Sequence, residues 1–119
     1  MAVKFPLRFT VGVRKPTTGV EDAHGDPVVT WSDPVDAPVY GWGPPGAGGS
    51  DHGEPKLAGH DRVIVDRELL APPGFPAGPH DRVVFPDGEF DVLGYPEDYN
   101  SGPFGFMPGL VVNCRRVEG

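Results

Sequence analysis

An α-helix needs about ten residues free of proline and glycine, with apolar side chains recurring every three or four positions. This chain scarcely contains such a window. Eighteen glycines and sixteen prolines punctuate its 119 residues. The one clear stretch, His60 to Ala71, carries Val63-Ile64-Val65, a β-branched run whose restricted χ1 prefers a strand. That much Gly and Pro also marks disordered chains. Two tryptophans, seven phenylalanines and several alternating apolar runs argue instead for a packed all-β fold with stiff loops. The length suits one domain, 1–119, burying roughly 60–70% of its unfolded surface.

The clearest local signal lies between His80 and Val117. Val83-Val84-Phe85 runs into Pro86-Asp87-Gly88 and out through Phe90, Val92 and Leu93. Pro presets φ, Asp tolerates the second position and Gly takes the left-handed one, which predicts a three-residue hairpin with a bulge. A Gly/Pro-rich loop, 96–109, follows. Alternation then resumes, with Leu110, Val112 and Cys114 on one face and Asn113 and Arg115 on the other.

Upstream, Val3, Phe5, Leu7, Phe9, Val11 and Val13 recur at period two with Lys4, Arg8 and Arg14 between them, predicting a long half-buried strand with a basic outer face. Pro6 confines its start to an edge. Pro16-Thr17-Thr18-Gly19 reads as a turn, 20–26 as a polar connection, and Pro27 to Trp31 as a strand. Val35 to Trp42 is a further strand whose prolines make it a poor central one. Residues 43–59 have no apolar period and read as an inserted flexible loop, of a length that in compact domains marks either function or disorder. Val63, Val65 and Leu69 share one phase of a strand ending at the rigid 71–79 connector. About six or seven short antiparallel strands suggest a small β-barrel or sandwich, and the barrel is the expected fold.

A single cysteine, Cys114, excludes an internal disulfide framework, fits a reducing compartment and reads as a small buried apolar residue. No segment approaches the ~20 apolar residues of a membrane span, so a soluble chain is expected. The net charge of −7 is unevenly spread: +4 over residues 1–15, −12 over 16–100 and +1 over the remainder. So acidic a body argues against gripping nucleic acid, because Lys and Arg on phosphates supply most of that affinity. It is compatible with nucleic acid sliding past a like-charged wall.

Catalytic and metal motifs are sparse. Asp51-His52, His60-Asp61 and His80-Asp81 are adjacent pairs, and neighbours on a strand point to opposite faces. A metal or hydrolytic centre would need His52, His60 and His80 to converge from separate loops, so polar caps at strand ends are the favoured reading. No phosphate loop or nucleophile elbow is present, and 97–100 lacks the spacing of a calcium loop. No cofactor, metal or catalytic residue is expected. Tyr99, Phe104, Phe106 and Met107 put unusual apolar surface on a loop, as a lid over a barrel end, a docking patch or a stacking platform for single strands.

The runs VIVDRELLAPPGFPAGPHDRVVFPDGEFDVLGYPEDYNSGPFGFMPGLVVNCRRVEG (63–119) and VYGWGPPG (39–46) resemble the head-to-tail stopper, or head-closure, proteins of long-tailed actinobacterial phages. The resemblance covers about half the chain. It implies a small β-barrel, not an enzyme, assembled in the host cytoplasm into a ring of six or twelve copies at the virion's head–tail junction. The portal or adaptor ring would lie on one side and the tail terminator or tail tube on the other, with double-stranded DNA passing through without sequence recognition and no membrane involved. Under that implication Trp42, Asp51, His52, Glu54 and Lys56 belong to a channel or inter-subunit loop. Tyr99, Phe104, Phe106 and Met107 dock a partner ring, and Lys4, Arg8, Arg14 and Lys15 form a basic contact strand. The competing expectations are a metal-dependent barrel enzyme built on the three histidines and a single-strand nucleic-acid-binding barrel.

Overall fold

The computed structural model describes residues 6–45, 56–58, 63–102, 105 and 107–117. The chain is all-β, and among the described residues twelve strands follow in order: β1 Phe9–Arg14, β2 Pro16–Glu21, β3 Pro27–Trp31, β4 Val35–Val39, β5 Gly41–Gly43, β6 Leu57–Ala58, β7 Val63–Ile64, β8 Arg67–Ala71, β9 Arg82–Phe85, β10 Gly88–Val92, β11 Glu97–Asp98 and β12 Leu110–Arg116. The main sheet is antiparallel throughout and runs β4-β1-β9-β10-β12-β8-β5, with β11 added beside β12.

The two ends of this path, β4 and β5, are separated in sequence by Tyr40 alone. One kinked segment therefore ladders with β1 through its first half and with β8 through its second, and the Tyr40 amide donates to the Leu70 carbonyl at 3.0 Å. Gly41 allows the kink, with φ of +158°. The hydrogen-bonded ladder is thus not continuous round a barrel; the sheet curls until its ends meet, and the backbone joins them. Pro38 is tolerated because β4 has only one ladder partner.

Alternation decides the core. Val11 and Val13, Ala37 and Val39, Leu69 and Ala71, Val83 and Phe85, Phe90 and Val92, and Val112 and Cys114 are buried inside the curl, and Phe75 and Ala77 of the connector close it. Edge-on ring contacts link Phe9 to Trp42, Trp42 to Phe85 and Phe85 to Phe90, with centroids 4.9–5.3 Å apart. Such pairs contribute about 0.5–1.5 kcal/mol each beyond area burial.

Several expectations need correction. Residues 6–8 are not strand, β1 begins at Phe9, and Leu7 and Phe9 are 44% and 49% exposed, so this part of the alternation is not a half-buried strand; Val3 and Phe5 lie outside the described residues. Pro16-Thr17-Thr18-Gly19 is strand, not turn: β2 pairs with β3 across a register shift between Thr17 and Val20, and the turn falls at 22–25. The 63–70 run is two strands, because it changes partner between Val65, whose amide still donates toward the β6 side at the Lys56 carbonyl, and Asp66, whose amide donates to the Cys114 carbonyl of β12. The hairpin forms where expected, but Gly88 pairs directly with Phe85 and leaves a two-residue turn, Pro86-Asp87. Finally, β12 is buried on both faces, with Val111 and Asn113 covered as well as Val112 and Cys114.

Candidate functional site

Three features stand out from the curled sheet. The first is the β2–β3 ribbon, which among the described residues pairs only with itself. Its base is tied down where β1 ends. The Lys15 and Ser32 amides donate to the Ser32 hydroxyl and the Lys15 carbonyl, and Arg14 donates through Nε to the Ser32 carbonyl at 2.9 Å. The guanidinium of Arg82 lies 4.2 Å from the centre of the Trp31 ring. At its far end Asp22 Oδ1 accepts from the His24 and Asp26 amides, and Gly25 takes φ +80°. The result is an acidic tip carrying Glu21, Asp22 and Asp26, all exposed. Sequence reading missed this arm, having taken its first strand for a turn; the alternation of Thr17 with Val20 is broken by the bulge, and little in the residues announces pairing.

The second feature is an apolar groove of about 530 Å³ on the outer side of β8 and β12, lined by Tyr40, Leu70, Tyr99, Pro108 and Leu110, with Arg8 also among its walls. Tyr99 is positioned by its own turn. The Asn100 amide donates to Asp98 Oδ1 at 2.7 Å, and the Gly109 amide donates to Asn100 Oδ1 at 2.8 Å. The Tyr99 amide in turn donates to the Gly109 carbonyl. Tyr99 and Met107 are 55% and 56% exposed, so these two do not fold back over the core. Phe104 and Phe106 lie outside the described residues.

The third is a buried charged cluster on the same outer face. Glu68 of β8 and Asn113 of β12 are register partners, and they are 2% and 4% exposed. Lys56 covers them, its ammonium bonded to Glu68 and, at 2.6 Å, to Glu97 of β11. Asn113 donates through Nδ2 to Glu97 at 3.2 Å, while its Oδ1 is buried without a partner. Burial pushes the Lys56 pKa down, but the hydrogen bonds to the two carboxylates outweigh it and hold it above the ordinary lysine value. The cluster fastens Lys56, the residue before β6, to the sheet.

Of the five residues expected to form a channel loop, Trp42 and Lys56 are described, and both lie against β8, Trp42 opposite Leu69 and Lys56 bonded to Glu68. Trp42 is half-buried between Phe9 and Phe85, Lys56 is held by carboxylates of the body, and Asp51, His52 and Glu54 lie outside the described residues. The basic strand is partly neutralised from within: Arg14 pairs with Glu89, and Lys15 pairs with Asp81. Arg8 keeps its charge exposed, and Lys4 lies outside the described residues. Of the three histidines, His52 and His60 are likewise outside. His80 is exposed with φ +71°, and its neighbour Asp81 caps the turn before β9, accepting from the Gly78 amide at 2.7 Å. Among the described residues no three His, Cys, Asp or Glu side chains are grouped to hold a metal.

At the hairpin tip, Asp87 accepts a two-pronged pair from Arg67 at 2.8 and 2.9 Å and a further bond from Arg116 at 3.0 Å. These hydrogen bonds, Arg67's first, hold its carboxyl well below the usual carboxylate range. Both guanidiniums also stack on Phe90, 4.3 and 4.7 Å from its centre, so this cluster is a staple between β8, β12 and the hairpin. No protein-family model, curated protein or solved structure matches the chain.

Proposed function

We propose that this chain is a head-to-tail stopper of a long-tailed phage: a structural virion protein that forms a ring at the head–tail junction, closes the DNA channel after packaging and offers the tail a docking surface. The observation that carries the reading is the acidic β2–β3 arm standing on a stiff curled sheet. A carboxylate-bearing projection suits a channel that DNA must traverse without sticking, because like charge repels the phosphates. The resemblance of 63–119 to stoppers supports it, and so do the apolar groove and the exposed Tyr99 and Met107, which fit a chain that completes its surface against neighbours.

In this reading the Glu21–Asp26 tip, rather than Trp42, is the described segment best suited to face the lumen. The portal or adaptor and the tail components contact opposite ends of the sheet. The test is localisation: an antibody or fused tag on this chain, imaged in intact particles, is expected at the head–tail junction. Density confined to the capsid shell, to the tail tip or to unassembled host cytosol would overturn it.

A further inference from the structure

We propose that the groove beside Tyr99 seats the β2–β3 ribbon of a second copy of this chain, so that copies join head to tail. The inference rests on the ring reading above and names the contact that would build such a ring. Three observations point to this occupant. A two-stranded ribbon standing off a sheet is marginal by itself, and this one leaves Val29 57% exposed beside its acidic tip. The groove offers the complementary chemistry: apolar walls and, in Arg8, a cation that, like Arg115 of β12, has no carboxylate partner among the described residues, whereas Arg14, Lys15, Lys56, Arg67, Arg82 and Arg116 each hold one. An unpaired guanidinium at an apolar groove selects an acidic, apolar-faced segment, and one ribbon carboxylate on Arg8 leaves the others of the Glu21–Asp26 tip to face the lumen.

The ribbon of the same chain is placed at the wrong end to fill it. The groove borders residues 6–8, at the start of β1, while the ribbon leaves through Lys15 at its finish. Six extended residues separate the two, about 20 Å. Two different complementary patches at opposite ends of one strand make a heterologous contact, which closes as a ring or runs on as a filament. Tyr99 then faces a neighbouring copy rather than a ring of another protein.

The test uses the full chain with cysteines at two exposed positions, Val29→Cys and Tyr99→Cys, made as separate proteins. Native Cys114 is fully buried and stays silent. Mixed and oxidised at high protein concentration, the two variants are expected to give disulfide-linked dimers, and a protein carrying both substitutions a ladder of longer species. Adding Arg8→Glu, with folding checked by its melting curve, is expected to cut the linked yield about fivefold at low salt. Cross-linking of either single variant with itself as efficiently as with the other would mean a different contact. Absence of linkage, or linkage indifferent to Arg8→Glu, would equally overturn the proposal. None of these results bears on where the chain sits in the particle, which imaging reads separately.

Discussion

Lys56 and Glu68 form an ion pair in which the carboxylate is almost wholly buried, on the outer face of a sheet whose core lies on the other side. Removing one partner of such a pair costs about 3–5 kcal/mol, because the remaining charge keeps its desolvation penalty. Lys56→Met is therefore expected to lower stability by that order in urea unfolding followed by tryptophan fluorescence. Adding Glu68→Gln should recover most of the loss. Simple additivity of the two substitutions would show that the pair is not coupled.

Gly109 is the tightest point of the groove floor. It takes φ +134°, and a Cβ there would stand 2.1 Å from the Ala71 carbonyl oxygen, a backbone atom that cannot swing aside. Gly109→Ala is expected to destabilise by about 3 kcal/mol or more, or to abolish soluble expression. Gly102 has open space around its Cβ position, and Gly102→Ala should stay within about 0.5 kcal/mol. Thermal melts of the two variants side by side make the comparison.

Asp87 contributes to the acid limb of the stability curve. Its folded carboxyl is depressed by the Arg67 and Arg116 hydrogen bonds, so the stabilisation is present above the unfolded value of about 3.9 and is lost as pH falls below it. Asp87→Asn should melt below the unsubstituted protein at neutral pH. The gap between the two melting temperatures should narrow as the pH is taken under about 4.

Cys114 sets the alkaline limb. Burial pushes its thiol up to about 12 from an ordinary 9.0. A raised folded value means that its contribution is complete below pH 9.0 and is lost as pH climbs toward about 12; the raised Lys56 value acts in the same direction. Stability is expected to decline across that window, and less steeply in Cys114→Ala, which starts about 1–2 kcal/mol lower for its lost packing. At neutral pH the native thiol should react with a soluble disulfide reagent only on unfolding.

Period-two runs carried most of the fold. Val83, Phe85, Phe90 and Val92 bury as their spacing demands, as do Val112 and Cys114, and Pro38 marked an edge correctly. Alternation tells which side chains share a face, but not whether the second face is covered. Asn113 and Glu68 are buried by Lys56, which arrives from a segment with no apolar period of its own. Leu7 continues the pattern beyond the ladder because β4 ends opposite Phe9, at Val39. The ribbon was illegible for another reason. Pro16 and Gly19 are turn formers by local preference, and pairing with 27–31 across a bulge overrides them. The groove could not be foreseen, since its walls come from residues near 6, 40, 70, 99 and 109.

The join at Tyr40 has one more consequence. Because the first and last strands of the path are halves of a single segment, the sheet behaves as a hoop whose clasp is a covalent backbone, and it cannot uncurl by parting one ladder at its seam. A single cut beside Tyr40, by a protease or by circular permutation, would turn that hoop into a flat-ended ribbon with two raw edges, and is the cut this protein should tolerate least.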